Sequence, residues 1–317
     1  MSCYLTMEEY IQNINHQNLL KSKSTKETYH TLCDLLDKHK KVYYSRFGDG
    51  DIFILMGRSQ ANHVYSEKLA EEIHQSLSIE HPRFLRGLQI NYPHEKGMTK
   101  GLFERYYYND ELRDFVIDNF SLSWPVVFES GWFPNYYSVF KPAEMNRFLD
   151  QYIRPKKKMF IGSVPESEMV KLFGEIDYYV QVPRKNAYAA VDHWWPEILN
   201  NVDHTEIVLP AAGMATRVIT KRLWELNKEI HCIDLGSIVD AVSSFPSSRK
   251  WIKLKRHVLN RILLPEFRDN SLVYWIKYAL KECGLFIRYL FYKVDPFKNL
   301  PLFPKAKRKK PGPFRKL

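Results

Sequence analysis

Between residues 158 and 235 the chain alternates short apolar runs with helix-length segments, and that alternation limits the fold more than any other feature. MFIGSV reads as a strand, residues 166–173 as a helix and 178–182 as a second strand. A helical stretch at 194–199 is followed by EIVLP, a small-residue turn at Ala211, Ala212 and Gly213, a helix through Leu226, and the strand-like IHCIDL. Strands of this length, each separated by a helix, pair in parallel and need cover on both sides. The expected class is α/β: a Rossmann-like, mostly parallel sheet with helices on both faces.

The same reading extends upstream. KVYYSRF, residues 41–47, is a β-branched and aromatic run that stops at Gly48, Asp49, Gly50 and Asp51 before an apolar stretch at 52–56, which predicts strand, tight turn, helix. Residues 7–40 have helical texture, with Tyr29, Leu32, Leu35 and Leu36 at three-to-four spacing, and read as a cover for that strand. The aromatic-rich middle yields a helix at 66–77 and strands at 84–90 and 125–129.

With 45% hydrophobic and 26% charged residues the chain can bury a real core, which excludes a disordered or collagen-like protein. Four scattered cysteines, without a CxxC pair, exclude a zinc ribbon and a disulfide scaffold and read as reduced thiols. The net charge of +11 is not spread evenly: residues 249–317 hold 19 Lys or Arg against 4 Asp or Glu, so residues 1–248 are net acidic. We therefore divide the chain into an α/β domain, 1–248, and a basic helical extension with a polybasic tail, 249–317. In the extension, Lys277, Lys281 and Arg288 fall on one narrow stripe of an otherwise apolar helix. Such a segment either suits an anionic membrane surface or packs its helices on the rest of the chain and leaves only the last dozen residues free; liposome flotation with and without 249–317 tests the first. With no signal peptide or spanning run in view, the expected location is cytoplasmic, and peripheral on the inner face of a membrane if the extension binds one. Nucleic acid is the less favoured partner: no RNP, KH or zinc motif accompanies the basic tail, and the acidic domain would repel phosphates.

The residues richest in chemistry are SRFGDGD, 45–51. Two carboxylates one residue apart, at the carboxyl end of a parallel strand, stand where open α/β sheets bind ligands. Asp49 and Asp51 offer the hard oxygen ligands that Mg²⁺ or Mn²⁺ prefers, with phosphates and waters completing the shell. Gly48 and Gly50 let the backbone turn and approach a ligand, and Arg46 offers a planar fork to a phosphate. Two plainer readings stand beside these: Asp51 caps the following helix, and Arg46 pairs with Asp49. A metal-dependent phosphotransferase or nuclease would use the same two aspartates.

SRFGDGD resembles the RFGDGE signature of the GT-D type glycosyltransferases, a family whose Asp-X-Glu motif holds the divalent cation of a nucleotide sugar. VPRKNAYAAVD is similar to the family's Lys-Asn-Ala segment, and IVLPAAGMAT with HCIDLG is similar to its strand, small-residue turn, helix and Asp-Leu-Gly strand. The segments occur in family order across residues 42–237. Position 51 departs from the pattern, with Asp where the family usually has Glu, and the glycine-rich segment that precedes Lys-Asn-Ala is faint here. The resemblance implies transfer of a sugar from a nucleoside diphosphate donor to a glycan or lipid-linked glycan, with Mn²⁺ or Mg²⁺ on Asp49 and Asp51. Lys185 and Asn186, in the Lys-Asn-Ala segment, either meet the donor or lie on a solvated loop, and Gly213 either opens a donor-binding turn or is small only for helix and strand packing. Asp234 either bonds a ribose or caps the next segment. Asp192, Glu129 and Asp240 are the candidates for a general base.

Overall fold

The computed structural model describes residues 25–60, 62–88, 110–120, 128–129, 133–140, 142–236 and 238–239. The expectations for residues 1–24, for Asp240 and for the whole extension 249–317 lie outside these residues. In chain order the elements are α1 (Thr25–Lys38), β1 (Val42–Phe47), α2 (Asp49–Leu55), α3 (Glu67–Leu77), β2 (Phe84–Leu88), α4 (Asp110–Asn119) and β3 (Phe128–Glu129). These are followed by α5 (Phe133–Phe140), α6 (Pro142–Phe148), β4 (Lys158–Gly162), α7 (Glu166–Phe173) and β5 (Tyr178–Gln181). The chain then forms α8 (Val191–Asn201), β6 (Ile207–Ala211), α9 (Ala215–Glu225) and β7 (His231–Ile233).

Seven strands form one sheet in the order β3-β2-β1-β7-β6-β4-β5, and every neighbouring pair is parallel. A parallel sheet has no bare face, so its strands need apolar side chains at both phases of the two-residue period. The sequence supplies them. Tyr43, Phe47, Phe84, Met159, Ile161, Val208 and Cys232 enter one core, where Ile52, Ile73, Trp194 and Val218 meet them from α2, α3, α8 and α9. Their strand neighbours Val42, Tyr44, Leu85, Phe160, Ile207, Leu209 and Ile233 enter the other, covered by Leu32, Phe133, Phe148 and Leu172 from α1, α5, α6 and α7.

Local patterns set the covering helices. In α1, buried Thr28, Leu32 and Leu36 form a stripe at four-residue spacing, which places this helix over the sheet as a cover. In α3, Leu69, Ile73, Ser76 and Leu77 form the buried stripe, and the Ser66 hydroxyl caps the start by accepting the Leu69 N–H at 3.2 Å. One expectation changes: α2 begins at Asp49, so the acidic motif is the first turn of a helix and not a turn ahead of it. The Gly48 N–H donates to Asp51 Oδ2 at 2.8 Å, and this bond satisfies an amide that the helix would otherwise leave open.

Buried His231 on β7 leads to a pH prediction. Its amide donates to the Glu206 carbonyl, its Nδ1 has no partner among the described residues, and burial, aided by nearby Lys156, holds its pKa down to about 4. The unfolded chain takes up this proton near 6.5 while the fold resists it, so stability is complete above that pH and falls as pH drops toward 4. The loss is on the order of 3 kcal/mol. Urea midpoints measured between neutral pH and the acid limit should fall less steeply for His231→Val, and parallel profiles would refute the assignment.

Candidate active site

The site arises where adjacent strands part company. After β1 the chain turns into α2 and α3, over the first core. After β7 it turns the other way, and Leu235, Ile238 and Val239 enter the second core. Two neighbouring parallel strands whose continuations leave to opposite faces open a crevice at their carboxyl ends, which is where α/β sheets bind ligands.

Four charges line up at this edge. Arg46, on β1, donates through Nη2 to Asp234 Oδ1 at 2.9 Å, and Asp234 follows β7 directly. Arg217, in the first turns of α9, donates through Nη1 to Asp234 Oδ2 at 3.1 Å and through Nη2 to Asp51 Oδ2 at 2.8 Å. The row Arg46, Asp234, Arg217, Asp51 alternates in sign and is nearly dry, with side-chain exposures of 13%, 1%, 10% and 4%. A buried ion pair persists only when hydrogen bonds compensate the lost water, and Arg217 provides them by holding two carboxylates with one guanidinium.

Asp51 is the member with capacity left over. Its Oδ2 takes both Arg217 and the Gly48 amide, while Oδ1 is buried with no partner among the described residues. Burial pushes its pKa up to about 6 against the pull of Arg217 and the Gly48 N–H. Asp49 lies exposed at the mouth, where its Oδ1 accepts the Gly50 N–H at 2.8 Å. One orphaned buried oxygen, with an exposed carboxylate in the same helical turn, suits a divalent cation that draws its remaining ligands from phosphates and water. Among the described residues no cluster of three or more His, Cys, Asp or Glu forms a closed metal cage.

Glycines make the close approaches. Gly236, at φ +48°, lies under the Arg46 guanidinium, where an added Cβ would fall 1.3 Å from Nη2. Gly213, at φ +61°, starts the turn into α9 beneath the His63 ring, where a Cβ would lie 2.6 Å from Cε1 and Nε2. Gly48 and Gly50, by contrast, have no left-handed backbone. A Cβ on Gly50 would lie 2.8 Å from Met214 Cε, so contact and not turning defines that position.

The sequence-derived site residues thus fall into two groups. Arg46, Gly48, Asp49, Gly50, Asp51, Gly213 and Asp234 converge on the crevice. The structure gives three of these residues partners: Asp234 accepts one guanidinium on each oxygen, Arg46 donates to Asp234, and Asn186 accepts the Val64 N–H through its side-chain oxygen at 2.8 Å. Lys185 is exposed beyond β5. Asp192 is exposed in the first turn of α8, and its field acts on Tyr188 and Arg222. Of the other general-base candidates, Glu129 ends β3.

Tyr188 and Arg222 belong to a second polar cluster that the sequence did not reveal. Buried Glu72 on α3 accepts from the Tyr188 hydroxyl at 2.9 Å and from Arg222 Nε at 2.8 Å. Burial pushes the Glu72 pKa up, but these hydrogen bonds outweigh it and leave it below the usual range. Arg222 also lies 5.3 Å from the Trp195 ring centroid, and buried Trp194 donates to the Ala187 carbonyl, so the tandem tryptophans serve packing. Arg217 was missed too, although it carried a signal: a cation in the first turn of a helix opposes the helix dipole and so implies a carboxylate partner.

The α/β fold has solved counterparts. One is described as a new glycosyltransferase containing domain of unknown function 1792, from Streptococcus sanguinis; it shares 16% identity at a TM-score of 0.55 over 74% of this chain and 84% of that one. A second, in which that highly conserved domain is said to have a distinct glycosyltransferase fold, shares 19% identity at a TM-score of 0.48 over 74% and 83%. No curated protein matches the chain. The family model for the glycosyltransferase GT-D fold matches residues 44–262, more than two thirds of the length. The chain belongs to this glycosyltransferase family.

Proposed function

We propose that the protein transfers a sugar from a nucleoside diphosphate donor to a hydroxyl of a glycan or lipid-linked glycan, and that Asp49 and Asp51 hold a divalent ion, Mn²⁺ or Mg²⁺, against the donor. The observation that carries this reading is the orphaned Oδ1 of buried Asp51, which shares the first turn of α2 with exposed Asp49. In the transfer the bond from the anomeric carbon to the diphosphate oxygen breaks, a bond to the acceptor oxygen forms, and the acceptor proton leaves. The bound ion supplies charge neutralisation for the departing diphosphate.

The chain's own residues prepare the site. Arg217 and the Gly48 amide fix the Asp51 carboxylate through one oxygen, so that the other keeps a single direction. Arg46 and Arg217 together hold Asp234, which keeps both guanidinium groups at the strand ends, where they add positive potential next to the donor phosphates. The start of α9, just past the glycine turn, adds the positive end of a helix to the same edge. The tail 249–317, for its part, supports attachment to an anionic membrane surface by composition alone.

The test is a panel of UDP-, GDP-, dTDP- and CMP-sugars, each with Mn²⁺, Mg²⁺ or EDTA, against wild type, Asp49→Ala and Asp51→Asn. One donor should bind and turn over in the presence of metal, with turnover lower by about 100-fold or more in both variants. Turnover that survives EDTA and both substitutions would overturn the metal assignment. A metal-dependent cleavage of simple phosphate esters, without sugar transfer, would favour the phosphotransferase instead.

A further inference from the structure

The loop between α2 and α3 carries a histidine that the charged row does not use. At residues 62–64 apolar packing holds little, since Val64 is 62% exposed. Backbone hydrogen bonds hold the loop instead. The Gln60 N–H donates to the His63 carbonyl at 2.8 Å and the His63 N–H returns to the Gln60 carbonyl at 3.1 Å. The Tyr65 N–H donates to Ser59 Oγ at 2.9 Å. From the opposite side, Asn186 grips the residues on either side of His63: its own N–H donates to the Asn62 carbonyl, and its Oδ1 accepts the Val64 N–H, both at 2.8 Å. Asn186 does this from a left-handed backbone at φ 51°, a conformation asparagine tolerates better than most residues.

The ring held in this way rests on the Gly213 turn, with Cε1 and Nε2 in the space that a Cβ there would fill. Nδ1 is enclosed with no partner among the described residues. Burial, together with nearby Arg217, lowers the pKa of this imidazole and keeps it neutral. A neutral imidazole offers one donor and one acceptor, which matches a hydroxyl, whereas the neighbouring guanidinium groups match phosphate.

We propose that His63 contacts the donor in the glycosyl-transfer site, hydrogen-bonding a hydroxyl of the bound nucleotide sugar, and that Asn186 is a positioning residue acting through it. This rests on the glycosyl-transfer reading and assigns the Lys-Asn-Ala segment a structural task in the site: its asparagine fixes the loop that presents the ligand-reading group.

The test compares His63→Ala, Asn186→Gly, Asn186→Asp and the double variant His63→Ala/Asn186→Gly in the full chain. Glycine keeps the left-handed backbone but loses the acceptor for Val64, whereas aspartate keeps both. With the donor found above, kcat/KM should fall about tenfold in His63→Ala and in Asn186→Gly, as expected for one lost hydrogen bond to substrate. The double variant should be no more than about twofold worse than either single one. Asn186→Asp should stay near wild type. In donor-free protein with ring-labelled histidine, the His63 NMR signal should move in Asn186→Gly and hold in Asn186→Asp. Wild-type kcat/KM in His63→Ala overturns the proposal, as do additive losses in the double variant. Loss in Asn186→Asp with an unmoved ring signal also overturns it, because Asn186 would then read the ligand itself. A wild type silent toward every donor defeats the glycosyl-transfer reading and the hydroxyl contact with it, while the ring signal still decides whether Asn186 positions His63.

Discussion

Replacing Arg217 with methionine is expected to destabilise the folded chain by about 3–5 kcal/mol, among the largest losses any single substitution here should cause. One guanidinium serves two buried carboxylates, Asp51 and Asp234, with bonds of 2.8 and 3.1 Å. Methionine fills most of the volume and removes the charge. Asp234 would retain Arg46, but Asp51 would keep only the Gly48 amide in an enclosure that already raises its pKa to about 6. It would then be protonated at neutral pH or drive the region open, and either outcome removes the carboxylate that the proposed divalent ion would need. Lysine should rescue only part of the loss, because a single ammonium cannot present the planar fork that spans two carboxylates. Chemical denaturation of Arg217→Met, Arg217→Lys and Arg217→Met/Asp51→Asn measures this directly. The double variant should be more stable than Arg217→Met, since it removes the uncompensated charge. A loss below about 1 kcal/mol in Arg217→Met, the range of an exposed ion pair, would mean that the row is wet and contributes little.

The architecture was legible in the sequence wherever one strand or helix could be recognised from its own residues. The runs VYYSRF, MFIG and IVLP are apolar in both phases, and only a sheet covered on both faces uses such runs, so the parallel class followed from local pattern. The order of the strands was not legible. That β7 separates β1 from β6 depends on contacts between segments almost two hundred residues apart. The same distinction divides the site. Asp49 and Asp51 were evident because two carboxylates flank one glycine in consecutive sequence, and their place after a strand supplied the chemistry. Arg217 and His63 are single residues whose meaning comes from partners brought to them by the fold. Asp234 shows the limit most clearly: nothing in IHCIDL discloses that two arginines from other elements each bond one of its oxygens. Asn186 is similar, since its αL backbone and its bonds to residues 62 and 64 exist only once the loop after β5 meets the loop after α2.

Gly236→Ala should cost stability and activity together, although it adds only one methyl group. The residue holds φ at +48°, a backbone that costs an alanine about 1–2 kcal/mol. The added Cβ would also fall 1.3 Å from Arg46 Nη2 and 2.5 Å from its Cζ, closer than any non-bonded contact permits. The guanidinium is the far end of a flexible side chain and can swing aside, but only by leaving Asp234 Oδ1, its 2.9 Å partner. The expected loss is therefore the backbone cost plus the breaking of a buried ion pair, together about 4 kcal/mol. A double-mutant cycle separates these two parts. In an Arg46→Ala background the guanidinium is already gone, so adding Gly236→Ala should cost only the backbone fraction, about 1–2 kcal/mol. If Gly236→Ala costs the same in both backgrounds, Arg46 does not depend on the space above this glycine, and the Arg46–Asp234 bond is not part of what orders the crevice. If the two costs differ as expected, Gly236 is the residue that lets a strand-borne arginine reach across to the end of the neighbouring strand. The Asp-Leu-Gly segment then contributes its aspartate and its glycine to one contact, the first as the acceptor and the second as the space through which the donor passes.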